Sequence, residues 1–421
     1  MTTTSPIERL PYDCLSEMFA HACKSPFDAA RSYLNWPHRI IALRLTGVCS
    51  HWRKALLSNT ALWSTFEYIH EPPYTQASID CLQLYLARSG NHVLSFTIHD
   101  HKDQDPDFIV PDSQQSEFMQ IICAEAHRWK RANFNTKAPE FDASAGTFSM
   151  NAPALRSVEV QLHKAKKNNF SLPWGQITDL KLFPESSISR ATHILPLCRN
   201  LRRLELWNHL VDFTGPIPAP TVVNGVESLV IAAMASPSVI PFFVFPDVVS
   251  LTINGAGRTI SPGRELISFL SLPCAPQLQH PIFDDTCITD DFVLEILSLT
   301  PSLHTLEKYT YTYDEEAIPG PSFLRRLTLT SPSHSNLVPH LKTLKIRVSG
   351  PAQDLIDMLR SRLQGSARCL DSVTLEGGPR LAALGDEVSE MARDFYEFRT
   401  LDKVGRKSSV GFSLSKKVLT N

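Results

Sequence analysis

Two apolar stripes at helical spacing open the chain. The first follows Leu10-Pro11 and ends before Ser25-Pro26; proline suits a helix start because the N–H it lacks would be unpaired there in any case. The second stripe ends at Asn59-Thr60. The first stripe comprises Cys14, Leu15, Met18, Phe19 and Ala22, and the second comprises Ile41, Leu45, Val48, Trp52, Ala55 and Leu56. Both stripes predict amphipathic helices, so the pattern indicates a small helical bundle at the N-terminus.

A second pattern fills most of the chain beyond the bundle: an apolar residue is followed by apolar residues three and five positions later. Copies begin at Val93, Trp129, Leu155, Ile177, Leu201, Val226, Val248, Leu324, Leu341 and Leu370, and poorer ones begin at Leu278 and Leu303. From Leu155 to Leu370 the copies recur about every 24 residues, which is within the period of leucine-rich repeats. The last two apolar positions of a copy alternate, as a half-buried strand requires.

The segments between these copies carry helical spacing, as at 117–126, 265–270, 292–299 and 355–363. These strand-plus-helix units predict the fold class α+α/β: a small N-terminal helical bundle followed by an irregular leucine-rich-repeat solenoid with a parallel sheet. An ordinary α/β domain is the alternative, because its strands carry the same spacing. Asparagines that could satisfy the turns after the strands occur only at places such as Asn135, Asn208 and Asn254.

Prolines and local charge suggest the domain boundaries. Glu71-Pro72-Pro73 predicts a hinge after the bundle, and residues 79–87 predict a helix that Ser89-Gly90 ends. We therefore assign residues 1–70 to the helical module, 71–380 to the repeats, and 381–421 to a C-terminal helix and basic tail. The tail carries Arg399, Lys403, Arg406, Lys407, Lys416 and Lys417 against Asp402. We expect a solvated end, and contact with an acidic partner or phosphate is the sharper alternative.

Composition narrows the classes of function. The 421 residues include 41 basic and 43 acidic ones, so no global field favours nucleic acid or an anionic membrane. The 9 cysteines are scattered and form no CxxC pair, which indicates reduced thiols in the cytoplasm or nucleus rather than disulfides or a zinc module. Residues 228–246 are uncharged, but Pro237, Pro241 and Pro246 interrupt them, so we expect no membrane span.

Motifs with catalytic or metal-binding spacing are weak. Asp103, Asp105 and Asp107 have the carboxylate spacing of a calcium loop, but Phe108 occupies the position of the turn glycine. His99-Asp100-His101 lacks a third metal ligand at a suitable spacing. Neither a phosphate-binding glycine loop nor a nucleophile elbow occurs in the sequence. We therefore predict no cofactor, metal or catalytic residue, and we expect that the protein is not an enzyme.

The N-terminal letters resemble the F-box, the helical motif with which substrate receptors dock onto the small adaptor of cullin-RING ubiquitin ligases. The resemblance covers residues 7–63 and includes Leu-Pro at the helix start, Val-Cys-x-x-Trp-Arg further along, and an Ala-Leu-Trp finish, as in F-box proteins of fungal type. The residues that the resemblance implies as adaptor-binding are Leu10, Pro11, Leu15, Phe19, Val48, Cys49 and Trp52. Residues 24–39 form a longer connection than compact F-boxes have, so no role is carried over to them.

The resemblance implies a substrate receptor of an SCF-type E3 ubiquitin ligase. Its expected partners are a Skp-type adaptor, a cullin-RING ligase reached through that adaptor, and an unknown target protein bound by the repeats, with neither nucleic acid nor membrane involved. The alternative is a leucine-rich-repeat scaffold unrelated to ubiquitin transfer, in which the first 63 residues only cap the repeats. The target itself cannot be named from the sequence or from the resemblance.

Overall fold

The chain forms two compact units. The first comprises Met1–Leu182 and Leu197–Asn200, and the second comprises Phe183–Pro196 and Leu201–Asn421. The computed structural model describes residues 10–23, 41–70, 76–100, 112–135, 151–161, 172–183, 188–208, 220–233, 242–254, 264–271, 278–284, 289–309, 320–330, 336–348, 352–363, 370–377, 388, 390, 396–401 and 410–416. The boundary between the units does not fall at residue 70, because the helical module and the first strands belong to the same unit.

The first unit opens with a helical bundle. It consists of α1 (Tyr12–Cys23), α2 (Ile41–Thr46) and α3 (Ser50–Ser58), followed by the 3-10 helix Thr60–Trp63. The second predicted stripe is therefore two helices rather than one. At the break, Gly47 N–H donates to the Arg44 carbonyl at 3.0 Å, and a Cβ added to Gly47 would lie 3.2 Å from the same oxygen. This tight turn ends α2 and places Val48 and Cys49 between the helices.

Parallel strands follow the bundle in chain order. They are β1 (Thr65–His70), β2 (Leu94–Asp100), β3 (Trp129–Asn135), β4 (Ser157–Gln161) and β5 (Asp179–Phe183). Between them lie α4 (Gln76–Arg88), α5 (Asp112–Ala124) and the 3-10 helices Ala126–Arg128 and Trp174–Gln176. Phe66, Phe96, Ala132 and Val158 lie in one register row from β1 to β4, and each is at most 5% exposed. The helices thus cover one face of the sheet, and this face is the core.

The second unit repeats this arrangement. Its helices are α6 (Ile188–Ile194), α7 (Arg264–Leu270), α8 (Asp290–Leu299), α9 (Pro321–Leu327) and α10 (Ala352–Leu363), and a 3-10 helix spans Leu195–Leu197. Its strands are β6 (Arg203–Asn208), β7 (Thr221–Val222), β8 (Ser228–Ala233), β9 (Phe243–Val244), β10 (Ser250–Asn254), β11 (His280–Asp284), β12 (Thr305–Tyr309), β13 (Thr343–Val348), β14 (Ser372–Gly377), β15 (Tyr396–Leu401) and β16 (Val410–Lys416).

The sheet of the second unit is parallel over most of its width. Its order is β6-β8-β10-β11-β12-β13-β14-β16-β15, in which the strands up to β14 are parallel and the pairs β14–β16 and β15–β16 are antiparallel. Strands β7 and β9 form a separate parallel pair. The structure thus confirms helices combined with a large, mostly parallel sheet.

One predicted strand is wrong. The copy that begins at Leu324 is helix α9, because Gly320-Pro321 starts a helix and the Leu-x-x-Leu spacing fits a helix face as well as a strand. Phe323, Leu324 and Leu327 are all 0% exposed within that helix. In the copy that begins at Val93, the first apolar position is buried at Leu94 instead, because Val93 is 46% exposed and Leu94 is 0% exposed. The register between β2 and β3 shifts at this point, between Leu94 and Ser95.

One copy of the pattern was not predicted. The residues that lead into and along β1 read Trp63-x-x-Phe66-x-Tyr68, the same spacing as in the later copies, and β1 pairs in parallel with β2. The copy is hidden in the sequence because Trp63 also ends the helical module. The first repeat unit therefore begins inside the region that the sequence assigns to the bundle.

Polar side chains tie neighbouring turns together just before the strands rather than after them. Arg128 Nε, Gln176 Nε2 and Asn200 Nδ2 donate to backbone carbonyl oxygens of the preceding turn at 3.0, 2.5 and 2.7 Å. Each of these residues directly precedes the first apolar position of a copy. Asn135, Asn208 and Asn254, which the sequence offers for turns after strands, are the last residues of β3, β6 and β10.

The C-terminal segment differs from the predicted helix and tail. Only Val388 and Glu390 are described as helical there, whereas Arg399 and Lys416 lie in strands β15 and β16. The other basic tail residues, Lys403, Arg406, Lys407 and Lys417, lie outside the described residues, as does the predicted hinge at 71–73. Among the described helices, none has the length and apolar composition needed to cross a bilayer.

Candidate functional site

The predicted adaptor-binding residues divide into interior and surface positions. Leu15 and Phe19 are 0% and 2% exposed, whereas Val48 is 59% exposed. Pro11 is also exposed, and Leu10, Cys49 and Trp52 are half-buried. The connection at 24–40 lies outside the described residues.

Leu15 and Phe19 form the core of the bundle. The Phe19 ring packs edge-on against the Trp52 indole, with centroids 5.0 Å apart. This geometry is favourable for two aromatic rings and holds α1 against α3. We therefore assign Leu15 and Phe19 to the interior of the bundle rather than to its surface.

The residues of the Val-Cys-x-x-Trp-Arg motif form the corner between α2 and α3. Cys49 is the N-cap of α3, and its Sγ accepts the Trp52 N–H at 3.4 Å. Arg53 Nε donates to the carbonyl of Thr46, the last residue of α2, at 3.0 Å. Both bonds satisfy backbone groups that helix ends leave unpaired. The motif therefore fixes the corner that exposes Val48.

The bundle presents an exposed apolar surface. Among the described residues, six large apolar side chains are exposed, and three of them are Tyr12, Met18 and Val48 at 47%, 48% and 59%. Tyr12 lies against His51 with ring centroids 5.0 Å apart, so the start of α1 meets the start of α3 near Val48. Pro11 and Met18, seven positions apart, share a face of α1. We define Leu10, Pro11, Tyr12, Met18 and Val48 as the docking face.

Sequence reasoning missed Tyr12 and Met18 as site residues. Met18 belongs to the apolar stripe, so the pattern alone assigns it to the core. The missing signal is the helix phase: once Leu15 and Phe19 face inward, Met18 shares the outward face with Pro11 and Cys14. Beneath this region, Trp52 Nε1 and His51 Nε2 are buried atoms without a hydrogen-bond partner within the described parts of the chain.

The bundle is fixed to the rest of the first unit through Tyr85 of α4. The Tyr85 ring packs against Trp63 with centroids 5.0 Å apart, and its hydroxyl accepts the Leu43 N–H at 3.2 Å. Burial raises the pKa of Tyr85, so the hydroxyl stays neutral. The helical module therefore shares its interior with the first strands.

The indole hydrogen bond at the end of the bundle occurs a second time further along the chain. Trp63 Nε1 donates to the Leu56 carbonyl at 2.9 Å, and Trp129 Nε1 donates to the Ile122 carbonyl at 3.2 Å. In both places a helix, a 3-10 turn and a strand follow one another, and the indole binds a carbonyl seven residues back, in the last helical turn. Helix α3 is therefore the structural counterpart of α5, which packs on the sheet.

The outer face of the sheet in the first unit is polar. Glu67, Thr97, Asn133 and Glu159 lie in one register row, and Lys181 Nζ is 3.3 Å from Glu159 Oε1. Thr97 and Asn133 are 3% and 5% exposed, so this row is covered at its centre.

The outer face in the second unit has an uncharged centre. Its middle row runs from Glu205 through Val230, Thr252 and Ile282 to Glu307. At the Glu205 side, the half-exposed rings of Phe183 and Trp207 lie with centroids 5.5 Å apart, and at the other side Lys345 Nζ is 2.7 Å from Glu307 Oε1. Half-exposed aromatic rings beside small uncharged side chains are typical of protein-binding surfaces.

Three of the described cysteines are poorly suited to act as nucleophiles. Burial raises the pKa of Cys23 to about 11 and those of Cys123 and Cys198 to about 12, so these thiols are poor nucleophiles. Within the described residues, no three His, Cys, Asp or Glu side chains are grouped to hold a metal. The acidic run at 103–107 lies outside the described residues.

No protein-family model and no curated protein matches this chain.

Proposed function

We propose that the protein is the substrate-recognition subunit of an SCF-type E3 ubiquitin ligase. In this proposal the N-terminal bundle is an F-box that binds a Skp-type adaptor through the docking face, and the repeats form a leucine-rich-repeat-like solenoid that binds a target protein. The docking face is the observation that carries the proposal. A cap that only shields the first strand needs a polar outer surface, whereas Tyr12, Met18 and Val48 are exposed and apolar.

The docking face offers enough apolar surface to anchor a specific interface. Full burial of one such side chain contributes about 1.5 to 3 kcal/mol, and these three are roughly half exposed, so each has about 1 kcal/mol left to gain. Together they contribute about 3 kcal/mol, equivalent to roughly 100-fold in affinity. The rest of the interface must offset the entropy lost on association.

The proposed receptor acts without catalytic residues. Docking through α1 and the α2–α3 corner uses none of the side chains on the outer face of the sheet. The rate of ubiquitin transfer would then increase through proximity, which is worth up to ~7 to 11 kcal/mol in well-oriented cases. The uncharged centre between Trp207 and the Glu307–Lys345 pair is the surface that we assign to target binding.

A second function has its own supporting observation. The equivalence of Trp63 and Trp129 makes α3 the helix of the first repeat, which favours a scaffold whose N-terminus is a cap. That equivalence does not involve α1 or the exposed side chains of the docking face. The two functions therefore differ in what they predict for α1.

Binding of a purified Skp-type adaptor to the full chain distinguishes these functions. We expect changing Tyr12, Met18 and Val48 together to serine to weaken adaptor binding roughly 100-fold, as measured by calorimetry. Val222→Ser is the matched control for Val48→Ser, because Val222 is 55% exposed but lies in the second unit. If the full chain shows no adaptor binding, or if the triple variant binds like the control, the receptor function is wrong.

A footprint gives an independent readout. Cys14 is exposed and lies between Pro11 and Met18 on the same face of α1. We expect the adaptor to slow alkylation of Cys14, read by peptide mass spectrometry at pH 8. Alkylation of Cys14 at the same rate with and without saturating adaptor would contradict binding at this face.

A further inference from the structure

Four basic side chains lie together where β11, β12 and β13 begin. His304 directly precedes β12. Its backbone N–H donates to the Gln279 carbonyl at 3.1 Å, and its backbone carbonyl accepts the backbone N–H of Lys342 at 2.8 Å. His304 Nδ1 is also 3.4 Å from Gln279 Oε1. His280 follows Gln279, and His340 precedes Lys342 by two positions. We name His280, His304, His340 and Lys342 the basic edge.

The positive charges of the basic edge act on one another. Partial burial lowers the pKa of His304, and the nearby charges of Lys342, His280 and His340 lower it further. Gln279 is the uncharged group that faces His304 from the β11 side.

Two carboxylates lie on or directly before strands that neighbour the basic edge. Glu307 Oε1 binds Lys345 Nζ at 2.7 Å, and Asp371 directly neighbours Lys342, because the Asp371 backbone N–H donates to the Lys342 carbonyl at 2.7 Å. Within the described residues, no carboxylate forms a salt bridge with the basic edge. An anion placed beside His304 would therefore be attracted by Lys342 and by a protonated imidazole.

The turn that presents His340 and Lys342 is strained and held in place. Val338 has φ 42°, a left-handed conformation that is a genuine outlier for a β-branched residue. Arg362 is 0% exposed and donates to the carbonyls of Leu337 at 2.9 Å and Val338 at 3.2 Å. Such strain costs ~1 to 3 kcal/mol and persists only where the surroundings enforce it, often at binding sites. Here a fully buried guanidinium fixes the turn beside His304.

The size of the basic edge matches a peptide better than a single small anion. Neighbouring strands are about 4.8 Å apart, so the distance from β11 to β13 is roughly 10 Å. An extended chain places alternate side chains about 7 Å apart, so two or three carboxylates can meet the edge at once.

We propose that the basic edge binds an acidic segment, rich in aspartate or glutamate, of a protein partner, and that binding strengthens as the pH falls through the range in which histidine titrates. Lysine is charged throughout this pH range, and a histidine side chain gains its charge only as the pH falls. Carboxylates stabilise the protonated imidazoles, so binding is coupled to proton uptake. This inference is independent of adaptor docking, because the basic edge lies in the second unit.

Fluorescence anisotropy of a labelled hexa-aspartate peptide with the full chain tests the proposal. Aspartate remains ionised at pH 5.5, so the pH dependence reports the protein. We expect several-fold tighter binding at pH 5.5 than at pH 8, because one group whose pKa rises by about one unit on binding contributes at most about tenfold. In the double variant His304→Gln/His340→Gln the change should shrink to about twofold, whereas Lys342→Gln should weaken binding at both pH values.

His193→Gln is the matched control, because His193 is an exposed histidine of α6 in the same unit. Circular dichroism of each variant confirms that it is folded, and NMR of the imidazole protons of the wild-type chain should show the pKa of His304 rising when peptide is added. The proposal is overturned if the double variant keeps the pH dependence of His193→Gln. It is also overturned if inorganic phosphate binds as tightly as the peptide, which would indicate a site for a small anion.

Discussion

A lysine buried in the core of the second unit allows a test of how the fold tolerates charge. Lys308 is 1% exposed and occupies a core position of β12, where neighbouring copies carry apolar side chains. Its Nζ lies 2.8 Å from Asp290 Oδ1 and 5.5 Å from the centre of the Phe323 ring. Asp290 Oδ2 also accepts the Gly320 N–H at 2.7 Å, so one carboxylate serves both a cation and a helix start.

The two partners should respond differently to removal. Asp290→Ala leaves the Lys308 ammonium buried without its carboxylate partner, and breaking a buried pair in this way costs about 3 to 5 kcal/mol. Lys308→Met replaces the ammonium with an apolar side chain, while Asp290 keeps the Gly320 bond and its place in the first turn of α8. We expect Lys308→Met to change the free energy of unfolding by less than about 1.5 kcal/mol.

The pH dependence provides a second check on Asp290→Ala. Desolvation lowers the pKa of Lys308, and Asp290 opposes that shift. Without Asp290 the folded-state pKa falls further below the unfolded value, so the unfolded chain binds more protons between the two values and stability rises with pH there. The deficit of Asp290→Ala should therefore shrink as the pH is raised towards 10.

Urea denaturation followed by circular dichroism measures the loss in stability. Hydrogen exchange across α8 and α9, read by mass spectrometry, shows whether the loss arises next to the Lys308–Asp290 pair. Equal losses for the two variants would refute the reasoning, because they would mean that the pair stabilises by attraction alone. A loss below about 1 kcal/mol for Asp290→Ala would refute it as well.

Two further predictions concern the indole hydrogen bonds and the basic edge. We expect Trp63→Phe and Trp129→Phe each to lower the free energy of unfolding by about 1 to 3 kcal/mol more than Trp52→Phe does. The reason is that loss of the Trp63 or Trp129 indole leaves a helix carbonyl unpaired. Equal losses for the three variants in thermal denaturation would contradict this. Because the pKa of His304 is lowered in the folded state, this residue contributes stability above its ordinary pKa, and that contribution is lost as the pH falls. Acidification from pH 7.5 to 5.5 should therefore lower the melting temperature less in His304→Gln than in the wild type. An equal drop in both proteins would contradict this expectation.

Much of the fold was predictable because its signals are local. The alternation of apolar residues marks most of the parallel strands, and the helical spacing marks α5, α7, α8 and α10. The error at Leu324 arises because Leu-x-x-Leu fits both periods, and only Gly320-Pro321 tells them apart. The split between α2 and α3 depends on Gly47, which a count of apolar positions passes over.

The candidate sites were less predictable because they depend on three-dimensional packing. The exposure of Met18 depends on which face of α1 turns inward, and that is decided by Phe19 packing on Trp52. Lys308 is buried because Asp290, eighteen positions earlier, neutralises it. The basic edge brings together three strands that are separate in sequence, so no local pattern could have marked it.

The indole of Trp63 has a mechanical consequence. It joins the C-terminal end of α3 to the start of β1, and β1 is paired along all six of its residues with β2. Bending between α3 and β2 would have to break either this indole hydrogen bond or the pairing of β1 with β2. A force applied to α3 should therefore be passed directly to the first strands, so that the helical module and these strands move as one body.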